Sequence, residues 1–177
     1  LGMIMLLSIA NQSITTSEGL QPKLTGTSGK GKTHAAKSMF HLIPDLGYKM
    51  MGSLSAKSLF YKPDLMPGTI IFADDVKISD DLDTTLKTAM SNFQLPTPHS
   101  TVIQQEYCEL TIPPRTVFWM TSVNTNFSDE LINRLYDLNV DEGPEIDKAV
   151  TEQRLKRAGK GDEAFPVDED VRVCRAI

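Results

Sequence analysis

Gly26, Thr27, Ser28, Gly29, Lys30, Gly31, Lys32 and Thr33 follow the pattern G-x-x-x-x-G-K-T, the spacing of a phosphate-binding P-loop, or Walker A motif. The chemistry is specific. Glycines let the backbone curl so that successive N–H groups face an anion. Lys32 would reach the β- and γ-phosphates of a nucleotide, and the Thr33 hydroxyl would ligate Mg²⁺. A helix that starts here presents its positive dipole end to the phosphates. The bland alternative is a flexible Gly/Ser/Lys loop that binds nothing.

A second motif argues against that alternative. Thr69-Ile70-Ile71-Phe72-Ala73-Asp74-Asp75 is an apolar run ending in two acids. It predicts a buried parallel strand with carboxylates at its C-terminal end, the edge where open α/β sheets bind ligands. Asp74 is the candidate Walker B carboxylate, a metal ligand directly or through water. Asp75 is the candidate that orients and activates the attacking water. The competing reading is a strand followed by an acidic helix N-terminus, a role that Asp80, Asp81 and Asp83 fill after the N-cap candidate Ser79.

Two further residues could complete a hydrolytic site. Thr116 to Ser122 is an apolar run leading to Val123-Asn124. A polar residue at the end of this third buried strand would sit between the two Walker strands and could position water. Asn124 is the first choice, with Ser122 and Thr121 behind it; a plain strand-ending turn is the alternative. Arg134, in Glu130-Leu131-Ile132-Asn133-Arg134-Leu135, precedes the last strand and could project from a subunit edge. An arginine supplied in trans stabilises transition-state charge at a γ-phosphate. An ordinary surface arginine is the competing reading.

These residues need elements to hold them. The pattern predicts a helix over Gly2 to Asn11, a strand over Leu20 to Thr25 and a helix over Thr33 to Leu42. A strand over Tyr48 to Met51 and a short helix over Ser55 to Phe60 follow. After the Walker B strand come a helix from Asp80 to Asn92 and a hairpin over Ser100 to Ile112, bracketed by Pro96, Pro98, Pro113 and Pro114. Asp129 to Tyr136 reads as helix and Asp137 to Val140 as the last strand. Glu145 to Ala158 is an exposed charged helix, and Gly159-Lys160-Gly161-Asp162 a linker. Residues 1–142 thus form one α/β core, and 143–177 a charged helix with the beginning of a C-terminal lid or linker.

Composition fits such a domain. The 177 residues are 40% hydrophobic and 23% charged, ordinary for a globular chain with one core. The net charge of −5 gives no global signal for nucleic acid or an anionic membrane. Cys108 and Cys174 have neither metal spacing nor a disulfide framework, which points to reduced thiols in a cytoplasmic protein, or in the host cytoplasm if the source is viral. The apolar start, Leu1 to Ala10, is too short to span a bilayer and lacks the basic region of a signal peptide. No membrane partner is expected. A start on Leu and a stop inside an amphipathic segment suggest a domain cut from a longer polypeptide, with a short natural protein as the alternative.

The order GTSGKGKT, IIFADD, FWMTSVN and LINRL resembles an AAA+ ATPase core, particularly the superfamily 3 and phage primase-helicase branch. The resemblance covers residues 1 to 142. It implies a five-stranded parallel sheet of order 5-1-4-3-2 flanked by helices, with a β-hairpin insertion before the sensor strand. It also implies ring assembly, as a hexamer, with ATP and Mg²⁺ bound at subunit interfaces and translocation on nucleic acid during DNA replication. Lys32 and Thr33 match Walker A, Asp74 and Asp75 match Walker B, Asn124 matches the sensor and Arg134 the arginine finger. Asp75 stands where most AAA+ proteins carry Glu, and of the lid only Arg172 and Arg175 offer a second sensor. In the related helicases a hairpin in the place of residues 100–112 touches single-stranded nucleic acid. Here it carries Gln104, Gln105, Glu106 and Tyr107, with His99 at its base and no Lys or Arg, although phosphate contact usually needs cations. Stacking on Tyr107 would suit a single strand, and a structural or oligomer-contact hairpin is the alternative. The basic run Arg154, Lys156, Arg157 and Lys160 is interleaved with acids and reads better as a solvated helix face.

Three functions compete at this level: an ATP-driven helicase or translocase, an AAA+ machine that remodels, loads or packages by acting on protein, and a P-loop kinase for a small molecule. A kinase clamps the migrating phosphate with lid arginines. The first arginine of this chain is Arg115, which argues against that reading.

Overall fold

Alternation along two short strands divides the core. Ile70 and Phe72 join the apolar cluster on one side of the sheet, and Ile71 and Ala73 join the cluster on the other. Val117 and Trp119 part from Phe118 and Met120 in the same way. Every residue of both strands is buried, as expected where helices cover both faces of a parallel sheet.

The computed structural model describes residues 1–27, 31–45, 47–122 and 127–140, together with 143, 145, 148, 151, 152 and 155. The elements in chain order are α1 (Gly2–Asn11), β1 (Pro22–Thr25), α2 (Lys32–Phe40), β2 (Tyr48–Met51), α3 (Ala56–Phe60) and β3 (Ile70–Ala73). Then come α4 (Asp80–Ser91), β4 (Thr97–Ile103), β5 (Glu106–Ile112), β6 (Val117–Thr121), α5 (Asp129–Ile132) and β7 (Tyr136–Asn139). Five strands form one parallel sheet in the order β2-β3-β6-β1-β7. The chain is therefore an α/β domain with α1 and α2 on one face and α3, α4 and α5 on the other. On the α2 face Phe40 stacks on Tyr48 at 4.4 Å and on Trp119 at 5.7 Å, and meets Phe72 edge-on at 5.6 Å.

Buried polar groups are built into the sheet's amino end. Pro22 opens β1 and has no N–H. Just before it, the Gln21 side-chain oxygen accepts from the Phe118 N–H at 2.7 Å, while the Gln21 carbonyl accepts from the Tyr136 N–H at 2.8 Å. One residue therefore joins β6 and β7 where the ladder would otherwise lapse. Ser8 does similar work for α1. It accepts from Trp119 Nε1 at 3.0 Å and donates to the Leu20 carbonyl at 2.6 Å, and both Ser8 and Trp119 are fully buried.

The hairpin of β4 and β5 stands as a separate two-stranded sheet. Its base is fixed by buried Thr97 and Ile112, by His99 stacked on Phe60 at 4.6 Å, and by a Tyr61–Thr101 hydroxyl contact of 3.3 Å. It starts at Thr97, three residues before the expected Ser100, and takes Pro98 into pairing with Thr111. A two-stranded ribbon has only edges, where proline is tolerated. Gln104 and Gln105 both have positive φ, 53° and 68°, the geometry of a two-residue I′ turn usually made by Asn-Gly.

At the far end the expected helix from Asp129 to Tyr136 stops at Ile132, and the last strand runs Tyr136–Asn139 rather than Asp137 to Val140. The Tyr136 N–H is already committed to Gln21, so residue 136 belongs to the ladder. The boundary placed at residue 142 lies outside the described residues, as do the basic side chains Arg154, Lys156, Arg157 and Lys160.

Ser8→Ala strands the buried Trp119 N–H. It is expected to cost about 1–3 kcal/mol in urea unfolding, against under about 0.5 kcal/mol for Ser38→Ala on α2, whose hydroxyl bonds the His34 carbonyl of its own helix. Equal losses would contradict the packing described.

A second prediction concerns acid stability. Lys87 bonds Asp83 at 2.9 Å and Glu130 at 3.0 Å, tying α4 to α5. Burial pushes the Asp83 carboxyl up, but hydrogen bonds from Lys87 and Ser128 outweigh it and the net is below the usual range. The Lys87 hydrogen bond also holds Glu130 low. Groups depressed in the folded state contribute stability above their free pKa of about 4, lost as pH falls through the folded value. The stability gap between parent and Lys87→Met should be full near pH 7 and shrink as pH falls below the free carboxylate range of about 4. A gap unchanged at low pH would count against it.

Candidate nucleotide-binding site

The carboxyl ends of β1, β3 and β6 meet the start of α2, and the chemistry gathers there. Gly31 caps α2 in a left-handed conformation, φ 91°, with nothing near the position a Cβ would take. A side chain there is opposed by backbone strain alone. Lys32, the first residue of α2, is buried, and its ammonium donates to the carbonyls of Gly26 at 2.7 Å and Thr27 at 2.9 Å. Cation and loop therefore hold each other. Ser28, Gly29 and Lys30 lie outside the described residues.

At the next residue, the Thr33 hydroxyl donates to both carboxylate oxygens of Asp74, at 2.9 and 2.8 Å. The third partner is Thr121. Its hydroxyl donates to Asp74 Oδ1 and accepts from the Asp75 N–H at 2.8 Å, and its carbonyl accepts from the Val76 N–H at 3.1 Å. The chain leaves β3 through Asp75 with φ at 49°, a left-handed backbone that Asp tolerates better than most residues. Asp75 is exposed. Asp74 is thus fixed from two sides, and Asp75 is held by its backbone with its carboxylate open to solvent.

Arg134 sits elsewhere. It follows α5 and precedes β7, whose Tyr136 pairs with Pro22 and whose Asn139 pairs with Thr25. The phosphate loop leaves the other end of that ladder, about 10 Å away for three strand residues and further for Arg134 itself. The exposed guanidinium donates to Ser91 Oγ at 2.8 Å and to the Glu130 carbonyl at 2.6 Å. It borders a cleft of about 430 Å³ shared with Glu18, Gln21 and Ser91.

A P-loop family model matches residues 1–177, the MTBMA_p00010 P-loop domain. The chain belongs to this P-loop domain family. It is also 28% identical, over 177 residues, to "Uncharacterized protein MTBMA_p00010" of Methanothermobacter marburgensis. That alignment covers 98% of this chain and 22% of the relative, so the domain spans about a fifth of the length of the curated relative it matches.

Membership gives the loop its general role, nucleotide binding. The P-loop domain brings Gly26, Thr27, Gly31, Lys32, Thr33, Asp74 and Asp75 to one sheet edge and sets Arg134 at the other. Asn124, first choice for the water-positioning residue, lies outside the described residues. Thr121, ranked behind it, bonds Asp74 and the Asp75 N–H. The signal was present in the strand period: Thr121 shares parity with Trp119, and that face of β6 looks towards α2.

The donor set suits a hard cation. A hydroxyl and a carboxylate already within 2.9 Å of one another are oxygen ligands of the kind Mg²⁺ takes. Among the described residues no group of three or more His, Cys, Asp or Glu could hold a metal. Further ligands here would come from phosphates and water, which is how Mg²⁺ is usually bound beside nucleotides. No described helix is long and apolar enough to cross a membrane.

Lys32→Ala removes the cation at the loop. Affinity for a fluorescent nucleoside triphosphate is expected to fall about 100-fold or more, the scale of removing a charge-assisted hydrogen bond from an anion site. Thr121→Val should leave affinity within about threefold while loosening Asp74 and Asp75. Unchanged binding by Lys32→Ala would refute the site.

Proposed function

We propose that the domain is an Mg²⁺-dependent ATPase of AAA+ type that acts as the motor of a nucleic-acid helicase or translocase, assembled as a hexameric ring. What carries the reading is the separation of Arg134 from the P-loop: the triphosphate end of the site has loop, lysine and carboxylates, but its described arginines are elsewhere. Arg115 is occupied with the Gln12 carbonyl at 3.2 Å, and Arg134 is at the opposite sheet end. A neighbouring copy could bring Arg134 to this γ-phosphate. The strand order supports the same reading: with the hairpin strands left out, the sheet reads 5-1-4-3-2.

On nucleotide binding, Lys32 would exchange its loop carbonyls for phosphate oxygens, and Thr33 and Asp74 would hold Mg²⁺, which would supply neutralisation of the phosphate charge. Asp75, exposed beside Asp74, accepts the proton of the attacking water. Thr121 keeps the Asp75 backbone in place, and Asn124 is a second candidate to orient that water.

A protein-remodelling role is the second reading, and the hairpin favours it. Its tip exposes Val102 and Tyr107, at 68% and 69%, beside Glu106 and Glu109, with no Lys or Arg from 97 to 112. Such a surface suits an apolar or basic protein segment better than phosphate. The test is ATP turnover with and without single-stranded DNA; stimulation favours the helicase, and indifference favours a protein client.

Turnover per chain should rise with protein concentration. Arg134→Ala should lower it about 10³-fold, and mixing Arg134→Ala with Lys32→Ala chains should restore a measurable part, because an intact Arg then faces an intact P-loop. Asp75→Asn should bind nucleotide normally and hydrolyse it slowly. Concentration-independent turnover, with Arg134→Ala as active as the parent, would overturn the interface reading.

A further inference from the structure

Lys23 is a lysine inside the sheet. It lies on β1 and its side chain is 4% exposed. Its ammonium sits 3.5 Å from Asp137 Oδ2 and 4.7 Å from the centre of the Phe127 ring. Burying a charge is costly unless it is paired and hydrogen-bonded. An apolar side chain of similar length, such as Met, would fill the same space between β1 and Phe127 without that cost. The reaction outlined above does not use Lys23, so the charge calls for another reason.

The reason lies in what the partner does. Asp137 stands opposite Lys23 in the β1–β7 register, with Thr25 opposite Asn139. Asp137 Oδ2 faces the Lys23 ammonium, and Asp137 Oδ1 accepts from the Thr25 hydroxyl at 2.7 Å. The Thr25 carbonyl in turn accepts from the Val140 N–H at 3.1 Å. Thr25 is the last residue of β1, and the next residue is Gly26, whose carbonyl holds the Lys32 ammonium. The point where the phosphate loop leaves the sheet is thereby tied to β7 through side chain and main chain together. The Asp137 carboxylate is 54% exposed, so water would compete for it without the buried ammonium beside it.

We propose that Lys23 is a positioning residue for the phosphate loop: it holds Asp137, Asp137 holds the Thr25 hydroxyl, and this bridge sets the start of the loop at Gly26. It also joins the loop to β7, the strand that follows Arg134, so the two ends of the proposed interface site share one rigid connection. The inference rests on the nucleotide-site reading for its purpose, and on the Lys23–Asp137–Thr25 bridge for its mechanics.

The experiment is hydrogen exchange on the nucleotide-free chain for Lys23→Met, Lys23→Arg, Asp137→Asn and the Lys23→Met/Asp137→Asn double variant. A fluorescent ATP titration of each accompanies it. Amides of residues 25–33 should exchange about tenfold faster in Lys23→Met and Asp137→Asn, while those of β3 and β6 keep the parental rate. Lys23→Arg should stay near the parent, and the double variant should be no faster than the faster single, as for two members of one bridge. ATP affinity should fall about five- to tenfold in the same variants, the scale of losing a hydrogen bond to a charged group. Asp137 is half exposed, so Asp137→Asn keeps the test open should Lys23→Met not fold. Parental exchange over 25–33 in Asp137→Asn, or a rise shared equally by all strands, would overturn the proposal. Faster exchange over 25–33 in a chain whose parent binds no nucleotide would uphold the bridge and reject the nucleotide reading.

Discussion

Asp74 follows a strand whose four residues are all buried and is itself half-buried, so protein donors there replace much of the water its carboxylate would otherwise have. It finds Thr33 on α2 and Thr121 on β6. That one requirement ties three separate segments together. The register carries it: Ala73 pairs with Met120 and Leu24 with Thr121, so Asp74 and Thr121 end level with each other above β1. A slip of one residue would put a side chain of the opposite face beside Asp74. Met120, next to Thr121, looks the other way, into the cluster shared with α3 and α4.

The two sheet ends then divide the work. The carboxyl end holds a loop, a cation and two carboxylates, as expected for a ligand site in an open α/β sheet. The amino end is closed by Gln21, which satisfies β6 and β7 at once, and it carries the exposed Arg134. Between them run strands of only four or five residues, so the ends lie on the order of 10 Å apart along the strands. Side-chain bridges brace that short span, Ser8–Trp119 from α1 to β6 and Lys23–Asp137–Thr25 between β1 and β7. The hairpin is a satellite on α3, with its apolar and acidic tip away from the sheet.

Features written in adjacent residues were legible in the sequence. Gly26 to Thr33 and Ile70 to Asp75 carry their chemistry in local spacing, and Tyr48–Met51 and Gly2–Asn11 have the bounds that pattern alone suggests. Features that depend on a partner strand were not. That Thr121 bonds Asp74 depends on the register of β6 beside β3, although its face could be read from its parity with Trp119. The early end of α5 follows from the claim of Gln21 on Tyr136. The Gln104-Gln105 turn gives no local cue, because its positive φ values are imposed by the pairing of Ile103 with Glu106. Lys23 carries no signal in its own neighbourhood at all, since its partner, Asp137, lies far along the chain on β7.

That this sheet edge receives a metal-bound triphosphate is tested most directly by a structure with Mg²⁺ and a non-hydrolysable ATP analogue. Phosphates are expected inside the loop of residues 26–33, with Lys32 moved from the Gly26 and Thr27 carbonyls to phosphate oxygen. The direct Thr33–Asp74 hydrogen bonds should give way to a cation shared by the hydroxyl and the carboxylate. An analogue bound elsewhere, or Lys32 and Thr33 keeping their present partners beside bound nucleotide, would contradict it.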